Sequence, residues 1–353
     1  MSEISRDHHY VSQAYLRNWS DDGDHIYAYR TLVSHENVRK WNLRSIRGIA
    51  YHRDLYTTVD AAGDEYDDFE RWLAAKFEQP AVETIERVIS GRRLSPEDWH
   101  QLALFFAAQD VRTPASFLEC MDRWADDLPE LLKKTLSEAV RRIKEISLKG
   151  DQPATPPEAS PLDYPVNVAV EIQSSSDEDV ALIHAQVTAG RRLWIQSMRH
   201  LLSGTANKLR RHRWSIAKPA GNLEWITSDH PALKLNYHSK GKYDFKGGWG
   251  SPGTELILPI SPNHLLYTQV DRKAQPRFTF SEEKTREMQK LLAGRAHRWI
   301  LARKAMKHIA QFRPRIIDAS VFEAEQEAWR SWHEDQRVAE MEDNPRVSPQ
   351  EHS

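Results

Sequence analysis

The N-terminal half of the chain repeats its apolar residues every three to four positions, the spacing of helices that bury one face. Ser12 precedes one such run as a candidate N-cap. Ser95 precedes another, in which Pro96 takes the first helical position. Extended runs interrupt the helical pattern at 7–11, 26–29, 49–51 and 55–57. We therefore expect a helix-rich half with a short β segment at its start.

The C-terminal half follows a proline-rich stretch, residues 149–166, which is predicted to be a linker or loop. Residues 176–203 keep the helical spacing and are predicted to form one long helix. Strand-like runs follow at 214–217, 223–227, 232–236, 255–259 and 265–270. Their turns contain Gly or Pro, which predicts an antiparallel sheet. Helices are expected again over 281–299 and 319–341.

This order of helices, strands and helices predicts an α+β fold in which helices pack on a C-terminal antiparallel sheet. We expect four regions: an N-terminal helical region over 1–148, the linker over 149–166, a helix-and-sheet region over 167–318, and a C-terminal helix with a frayed tail over 319–353. The alternative is one integrated domain across residues 7–303.

The composition adds charge segregation to this picture. The formal net charge of −2 conceals six acids and no base in residues 60–70, and eight bases and no acid in residues 191–218. The single cysteine, Cys120, excludes an internal disulfide framework and a cysteine-based zinc site. No signal peptide or membrane-spanning run is found, so the cytoplasm is the expected location.

Two polar residues extend the inward face of the helix that starts at Pro96. Gln109 and Arg112 lie about one and two turns beyond Phe105 on that face. A buried, unpaired guanidinium is costly, so Arg112 needs an anionic partner. That partner is either a structural carboxylate or a ligand. We call Gln109 and Arg112 the helix cluster.

A second polar group ends the strand-like run 223–227. Thr227, Ser228, Asp229 and His230 stand there, and Pro231 keeps His230 extended. We call these residues the strand-end cluster. Short polar side chains at the end of a strand suit catalysis or binding. The alternative is a turn in which Asp229 only bonds its own backbone.

The third group is the opening cluster, Asp7 to Tyr10, which contains His8 and His9. Adjacent side chains of an extended segment point to opposite faces, so the two imidazoles are not expected to share one metal ion. One histidine can face a pocket while the other packs elsewhere. The alternative for either is a hydrogen-bonded core position.

The three clusters resemble a widespread, mostly bacterial family of domains of unknown function. Residues 7–19 are similar to its opening, His-His-Tyr-x-Pro-x-x-Tyr-Leu-x-x-Phe, with Ser12 in place of Pro and Trp19 in place of Phe. Residues 109–114 resemble its Gln to Arg-Thr-Pro run, residues 227–231 its Thr-Ser-Asp-x-Pro run, and residues 258–262 its Pro-Leu-Ser-Pro-like strand. The resemblance covers about residues 7–303. It implies no particular activity, but it marks the same three clusters.

The basic stretch 191–218 is a candidate contact surface for nucleic acid, because cations interleaved with aromatic rings suit a phosphate backbone and its bases. The residues assigned to this contact are Arg191, Arg192, Arg210, Arg211, Arg213 and Trp214. The alternative is a solvated helix face, or a partner for the acids at 60–70. Residues 238–244 approach the phospholipase-D signature, but they lack one residue of its spacing and have no second copy, so they are predicted to form a loop.

The favoured hypothesis from the sequence is an intracellular phosphodiester hydrolase, a nuclease or nucleotide-cleaving enzyme with a role in phage defence. His8 or His9 would act as general acid or base, and Asp229 would position water or a divalent cation. The residues assigned to substrate binding are Gln109, Arg112, Thr227, Ser228 and His230. The alternatives are a non-catalytic module that senses or binds a nucleotide or other anion, and a structural or interaction protein. The oligomeric state is left open.

Overall fold

The protein is represented by a computed structural model, which describes residues 4–60, 62–149, 166–174, 181–239, 241–273 and 275–341. The helices are α1 (Gln13–Leu16), α2 (Asp68–Leu73), α3 (Gln79–Ile89), α4 (Pro96–Val111), α5 (Pro114–Leu148), α6 (Arg191–Ser203), α7 (Glu282–Arg295), α8 (Ile309–Phe312) and α9 (Ala319–Met341). Short 3-10 helices cover Arg17–Trp19, Ile46–Gly48 and Thr205–Arg211, and a π-helix, Ala74–Glu78, joins α2 to α3.

Strands are distributed over both halves of the chain. Those of the N-terminal half are β1 (Asp7–His9), β2 (His25–Arg30), β3 (Leu32–Val33), β4 (Trp41–Ser45), β5 (Tyr51–Arg53), β6 (Thr58–Val59) and β7 (Glu65–Tyr66). Those that follow are β8 (Asn167–Ser174), β9 (Ala181–Thr188), β10 (Ser215–Lys218), β11 (Thr227–Ser228), β12 (Leu233–Ser239), β13 (Lys242–Asp244), β14 (Glu255–Ser261), β15 (His264–Gln269), β16 (Arg277–Thr279), β17 (Trp299–Ala302) and β18 (Ile316–Ile317).

Two larger sheets organise these strands. A six-stranded sheet has the order β13-β12-β14-β15-β10-β16, and all its pairs are antiparallel except β10 with β16. A four-stranded antiparallel sheet, β11-β17-β2-β4, takes strands from both halves of the chain. Helices and antiparallel sheets together make the fold α+β, as predicted.

The core follows from the sequence pattern. Every residue of β14 is buried, which explains its continuous apolar run. Helix α4 is buried along most of its second half, from Phe105 to Val111. One cluster of buried apolar residues extends from Tyr10 to Trp332. Polar residues of the opening cluster and the strand-end cluster, among them His8, Asp229 and His230, are buried as well.

The helix starts predicted at Ser12 and Ser95 are confirmed. Ser12 Oγ accepts the N–H of Tyr15 at 3.3 Å. Ser95 Oγ accepts the N–H of Asp98 at 3.1 Å, and the Asp98 carboxylate accepts the N–H of Ser95 at 2.8 Å, which completes a capping box. Helix α9 has the predicted bounds, 319–341.

The long helix predicted over 176–203 is wrong. Residues 181–188 form β9, which pairs with β8, and α6 begins only at Arg191. The β-branched and alternating residues of this run favour a strand, and Gly190 ends the strand before the helix. Residues 150–165, which hold most of the predicted linker, and the predicted helix start at 176–177 lie outside the described residues.

Smaller corrections concern chain bends. Residues 55–57 are not a strand, and β5 begins only at Tyr51, because Ala50 (φ 53°) and Asp54 (φ 55°) adopt left-handed conformations that end extended pairing. The run 223–226 is not paired either, and β11 is confined to its last residue and Ser228. Helix α5 continues through Pro129. Pro129 and Ala125, four residues before it, are exposed, so solvent can bond the backbone carbonyl that loses its helical partner.

Candidate functional site

Arg112 caps the C-terminal end of α4 and joins three elements inside the core. Its side chain is fully buried, and Nη2 donates to the backbone carbonyl of His9 at 2.6 Å. Nη1 bonds the carboxylate of Glu78 in the π-helix, and Glu70 of α2 lies 3.4 Å from Nη2. The anionic partner that the sequence required is therefore protein carboxylate. Burial raises the pKa of Glu70 to about 7, against the opposing charge of Arg112.

The two histidines of the opening cluster face different surroundings. The ring of His8 is buried, and its Nδ1 accepts the backbone N–H of Tyr56 at 3.0 Å. Nε2 must then carry the proton, which it donates to the carbonyl of Ser5 at 2.8 Å. Burial lowers the pKa of His8 to about 4. The predicted acid–base role does not fit His8, because both ring nitrogens are engaged and the ring is shielded from solvent.

His9 points to the other side of β1, as alternation predicts. It is half-buried, with Nε2 3.3 Å from the carbonyl of Arg47 and Nδ1 3.4 Å from the amide of Gln13. Its ring centroid lies 5.5 Å from that of Tyr51. Burial lowers its pKa. His9 is thus the more accessible imidazole of this cluster, and its backbone carbonyl is the atom that meets Arg112.

Asp229 is buried and braces the connection between α7 and β17. Its carboxylate accepts the backbone N–H groups of His297 at 3.0 Å and Arg298 at 2.7 Å. Burial raises its pKa to about 6, although these hydrogen bonds oppose the shift. The predicted metal-binding role does not fit this geometry, because both oxygens already bond the backbone. Within the described part of the chain, no group of three or more His, Cys, Asp or Glu residues is placed to hold a metal ion.

The other strand-end residues connect α1 and α4 to the sheet. Thr227 Oγ1 lies 2.5 Å from the hydroxyl of Tyr15, and Ser228 Oγ accepts the N–H of His230 at 3.2 Å. His230 Nδ1 and Thr113 Oγ1 share a hydrogen bond of 2.6 Å. Arg112 of the helix cluster contacts the opening cluster, and the next residue, Thr113, contacts the strand-end cluster. We call this meeting point the buried junction.

His230 has one unsatisfied nitrogen in the buried junction. Nε2 has no hydrogen-bond partner among the residues that the structure describes, and Glu119 Oε1 lies 4.0 Å away. Glu119 is itself held by Arg295, with Nη1 at 2.5 Å and Nη2 at 3.1 Å. Burial, followed by the nearby charges of Arg295 and Lys234, lowers the pKa of His230 well below its ordinary value. The imidazole is therefore neutral at pH 7.

Gln109 is the second unsatisfied group. Its side chain is buried, and neither amide atom finds a partner in the described residues. Helical spacing places it between Phe105, which packs on Tyr15 at 5.8 Å, and Thr113, which bonds His230. Gln109 therefore lies on the face of α4 that meets the strand-end cluster, as the sequence predicted.

The predicted nucleic-acid contacts divide into buried and exposed residues. Arg191 is fully buried and bonds Glu340 of α9 at 2.7 Å, so its assignment to nucleic acid is wrong. Arg192 is half-buried and donates to the carbonyls of Val59 and Glu340. In these contacts neither Arg191 nor Arg192 pairs with an acid of residues 60–70, the alternative that the sequence left open.

Trp214 is likewise buried, with Nε1 donating to the carbonyl of Leu209 at 2.9 Å, and cannot stack on a base. Arg210, Arg211 and Arg213 are exposed and keep the predicted contact role as a hypothesis. The basic stretch thus contains a structural part in α6 and an exposed part around the 3-10 helix Thr205–Arg211.

A cleft of about 310 Å³ opens beside the C-terminal end of α4, where Asp110 and Val111 line it. Helices α4, α5 and α6, the 3-10 helix Thr205–Arg211, β12 and the loop 247–250 enclose it. Its charged and aromatic lining residues are Asp110, Glu119, Arg123, Lys208, Lys234, Trp194 and Trp249. Glu119 belongs to both this wall and the contact with His230, so the cleft adjoins the buried junction.

The wall of the cleft is held by Asp110, which is almost completely buried. Lys234 Nζ lies 2.7 Å and 2.9 Å from its two oxygens, and Trp249 Nε1 donates to it at 2.8 Å. Gly247 lets the loop approach β12, since a Cβ there would lie 2.4 Å from the Thr254 methyl and 3.0 Å from the Lys234 carbonyl. Sequence reasoning missed these residues, although the Gly-Gly-Trp-Gly run was a visible signal.

Two other cavities differ in character. One of about 230 Å³ beside α1 contains Arg17, Glu78 and Glu86, so its charged lining is net negative. Another of about 430 Å³ lies between α5 and β9, and its side chains are almost all apolar. The cleft therefore combines net positive charge with aromatic side chains, which neither of these cavities does.

Comparison with known proteins gives a family but no activity. A family profile described as “Protein of unknown function (DUF4238)” matches residues 7–306. No curated protein and no solved structure matches the chain. Among the described helices, none combines the length and apolar character that crossing a bilayer requires. The chain belongs to the DUF4238 family of proteins of unknown function.

Proposed function

We propose that this protein is a binding module for a phosphate-bearing, nucleotide-like anion, which it holds in the cleft. The observation that carries the proposal is the balance of charge in the cleft wall. Lys234 neutralises Asp110 and Arg295 neutralises Glu119, which leaves the cations Arg123 and Lys208 without a carboxylate partner among the described residues. Two unneutralised cations in a concave site favour an anionic ligand.

The size and the lining of the cleft support a small organic ligand. Its volume of about 310 Å³ falls at the lower end of the range for small-molecule sites. Trp249 lines the cleft with the small part of its ring that is not buried, and the bond from Nε1 to Asp110 holds it in place. An aromatic wall beside cations suits a ligand that has a planar base as well as phosphate.

The proposal is tested by calorimetric titration with nucleoside mono-, di- and triphosphates and with inorganic phosphate. Wild-type protein is compared with Arg123→Gln, Lys208→Gln and the matched control Lys134→Gln, an exposed lysine on α5 outside the cleft. We expect each cleft variant to weaken binding by about tenfold, the effect of a charge-assisted contact, and the control to bind as wild type does. Equal affinity in all four proteins would reject the cleft as the site.

A second candidate function is phosphodiester cleavage, and one observation favours it. Thr113 orients the neutral imidazole of His230 through Nδ1, and Nε2 has no partner among the described residues. Glu119 of the cleft wall lies 4.0 Å from Nε2, so this nitrogen is free to accept a proton from a group that reaches it from the adjoining cleft. Purified protein is incubated with mixed nucleic acids and several divalent metals. Loss of cleavage in His230→Gln but not in His9→Ala would identify His230 as the acting imidazole, and Asp229→Ala tests whether the carboxylate is needed. A role in phage defence depends on this activity.

A further inference from the structure

The hairpin formed by β12 and β13 extends beyond the six-stranded sheet. Only residues 233–235 of β12 pair with β14, and the rest of β12 pairs with β13 alone. Tyr237 stands directly opposite Tyr243 in this two-stranded ribbon. Residues directly opposite each other project on the same face. Their exposed fractions are 42% and 37%, so two tyrosines share an open face.

This aromatic face continues to the cleft. Phe245 lies two residues beyond Tyr243, and the two ring centroids are 5.6 Å apart. The guanidinium of Arg295 lies 5.7 Å from the centre of the Phe245 ring. Arg295 is also the partner of Glu119 in the cleft wall. A row of rings thus runs from the hairpin to the edge of the cleft.

The exposed charge beside these rings is positive. Lys242 and Lys246 are exposed on the hairpin and just after it. The one carboxylate of β13, Asp244, accepts the N–H of Lys246 at 2.8 Å and lies 3.1 Å from His238. Two lysines against one carboxylate leave this group with a net positive charge.

The 3-10 helix Thr205–Arg211 beside the cleft is basic as well. His212 Nε2 lies 2.6 Å from the carbonyl of Trp249, which ties the cleft loop to the end of this helix. Arg210, Arg211 and Arg213, the sequence neighbours of His212, are exposed. Cations therefore lie near the cleft both on the hairpin and at the end of the 3-10 helix.

We propose that the β12–β13 hairpin is a stacking platform for the bases of a single-stranded nucleic acid, whose chain continues through the cleft to Arg210, Arg211 and Arg213. This rests on the proposed function and specifies its ligand as a polynucleotide strand. Exposed aromatic rings beside a basic groove bind unpaired bases without strong sequence preference. A duplex keeps its bases stacked inside and offers no faces to Tyr237 and Tyr243.

The test is fluorescence anisotropy with labelled single strands of about ten nucleotides, in DNA and RNA forms, and with the matching duplexes. Three proteins are compared with wild type: Tyr237→Ala/Tyr243→Ala, Tyr237→Phe/Tyr243→Phe, and Tyr66→Ala as the matched control, a tyrosine that is 41% exposed elsewhere. We expect the double alanine variant to bind single strands at least tenfold more weakly, because each stacked base contributes on that scale. The phenylalanine variant keeps its rings and binds as wild type does.

Mononucleotide titration separates this inference from the proposed function. We expect the double alanine variant to retain mononucleotide affinity, because the cleft is intact. One outcome would overturn the platform and leave the cleft standing: wild type binds mononucleotides, but wild type and the double alanine variant bind single strands equally well. If single strands bind in a tyrosine-dependent way but mononucleotides do not bind, the platform stands and the cleft is rejected as a nucleotide site. Tyrosine-dependent capture of a protein partner in place of either strand would also overturn the platform.

Discussion

Arg112 Nη2 donates a hydrogen bond of 2.6 Å to the backbone carbonyl of His9, which ties the end of α4 to the opening strand of the chain. The next residue, Thr113, bonds His230 at 2.6 Å. Two consecutive residues therefore connect segments more than 200 residues apart in sequence. The buried junction is a structural centre first, and this has measurable consequences for its variants.

Arg112→Lys is expected to destabilise the protein by about 3 kcal/mol, the cost of breaking a buried ion pair. A lysine has one nitrogen and cannot reach both the Glu78 carboxylate and the His9 carbonyl as the guanidinium fork does. Urea unfolding of wild type and variant measures the difference.

The control for this prediction is Arg142→Lys, an exposed arginine on α5 that pairs with Glu138 at 2.7 Å. We expect a change of no more than about 0.5 kcal/mol there, because exposed helix pairs contribute little. Equal effects at the two positions would show that Arg112 does not hold the junction.

Acidification is expected to destabilise the protein in part through His8. Its folded pKa of about 4 lies below the ordinary value of 6.5, so the unfolded state binds more protons between these values. Stability therefore falls as pH decreases through that window, and His8 contributes up to about 3 kcal/mol to the loss. In His8→Gln this share of the pH dependence is removed.

Urea unfolding across this pH window tests the His8 prediction as a difference in slope, which a general loss of stability in the variant does not imitate. The pKa values of buried His264 and half-buried His297 are lowered as well, and both residues remain in both proteins. Parallel curves for wild type and His8→Gln would contradict the assigned role of His8.

Asp229→Ala is expected to cost about 2–4 kcal/mol, because the N–H groups of His297 and Arg298 lose their acceptor. Asp229→Asn keeps one acceptor oxygen, so its stability should lie between those of wild type and Asp229→Ala. Thermal unfolding gives the order, and ligand titration under native conditions should show unchanged affinity. An Asp229→Ala protein that is fully stable but does not bind would place Asp229 at the ligand instead.

Asp110→Asn is expected to raise affinity for a phosphate-bearing ligand while lowering stability. The carboxylate of Asp110 competes for the charge of Lys234 at 2.7 Å, and asparagine releases that charge to the ligand. The gain is about fivefold, the order of one charge interaction at 4 Å that is screened as in bulk water, roughly 1 kcal/mol. Calorimetric titration measures it, and a fall in affinity would mean that Asp110 positions the ligand.

Local signals in the sequence were sufficient for the helices with strong ends. Ser95, Pro96 and Asp98 are close in sequence and fix the start of α4 by themselves. The alternation of side chains along β1 also predicted that His8 and His9 face different surroundings, and His8 is buried while His9 is half-buried. Helical spacing also placed Gln109 and Arg112 on the inward face of α4, since both are buried.

Tertiary partners could not be predicted in the same way. Glu78 meets Arg112 from a π-helix, whose wider turn shifts the side chains relative to the 3.6-residue pattern. Glu119, 4.0 Å from His230 Nε2, comes from α5, and Lys234, the partner of Asp110, comes from β12. These contacts depend on how helices and strands pack, so the cleft between them could not be predicted from the sequence, even though Gln109, the residue before Asp110 of its wall, was singled out.

The central claim, that the cleft receives a phosphate-bearing nucleotide-like ligand, is tested most directly by one calorimetric comparison. A nucleoside 5′-phosphate and the same nucleoside without phosphate are titrated into wild-type protein and into Arg123→Gln/Lys208→Gln. We expect the phosphate to strengthen binding to wild type by tenfold or more, and this advantage to disappear in the double variant. A phosphate advantage that persists undiminished in the double variant, or none in wild type, would contradict the account.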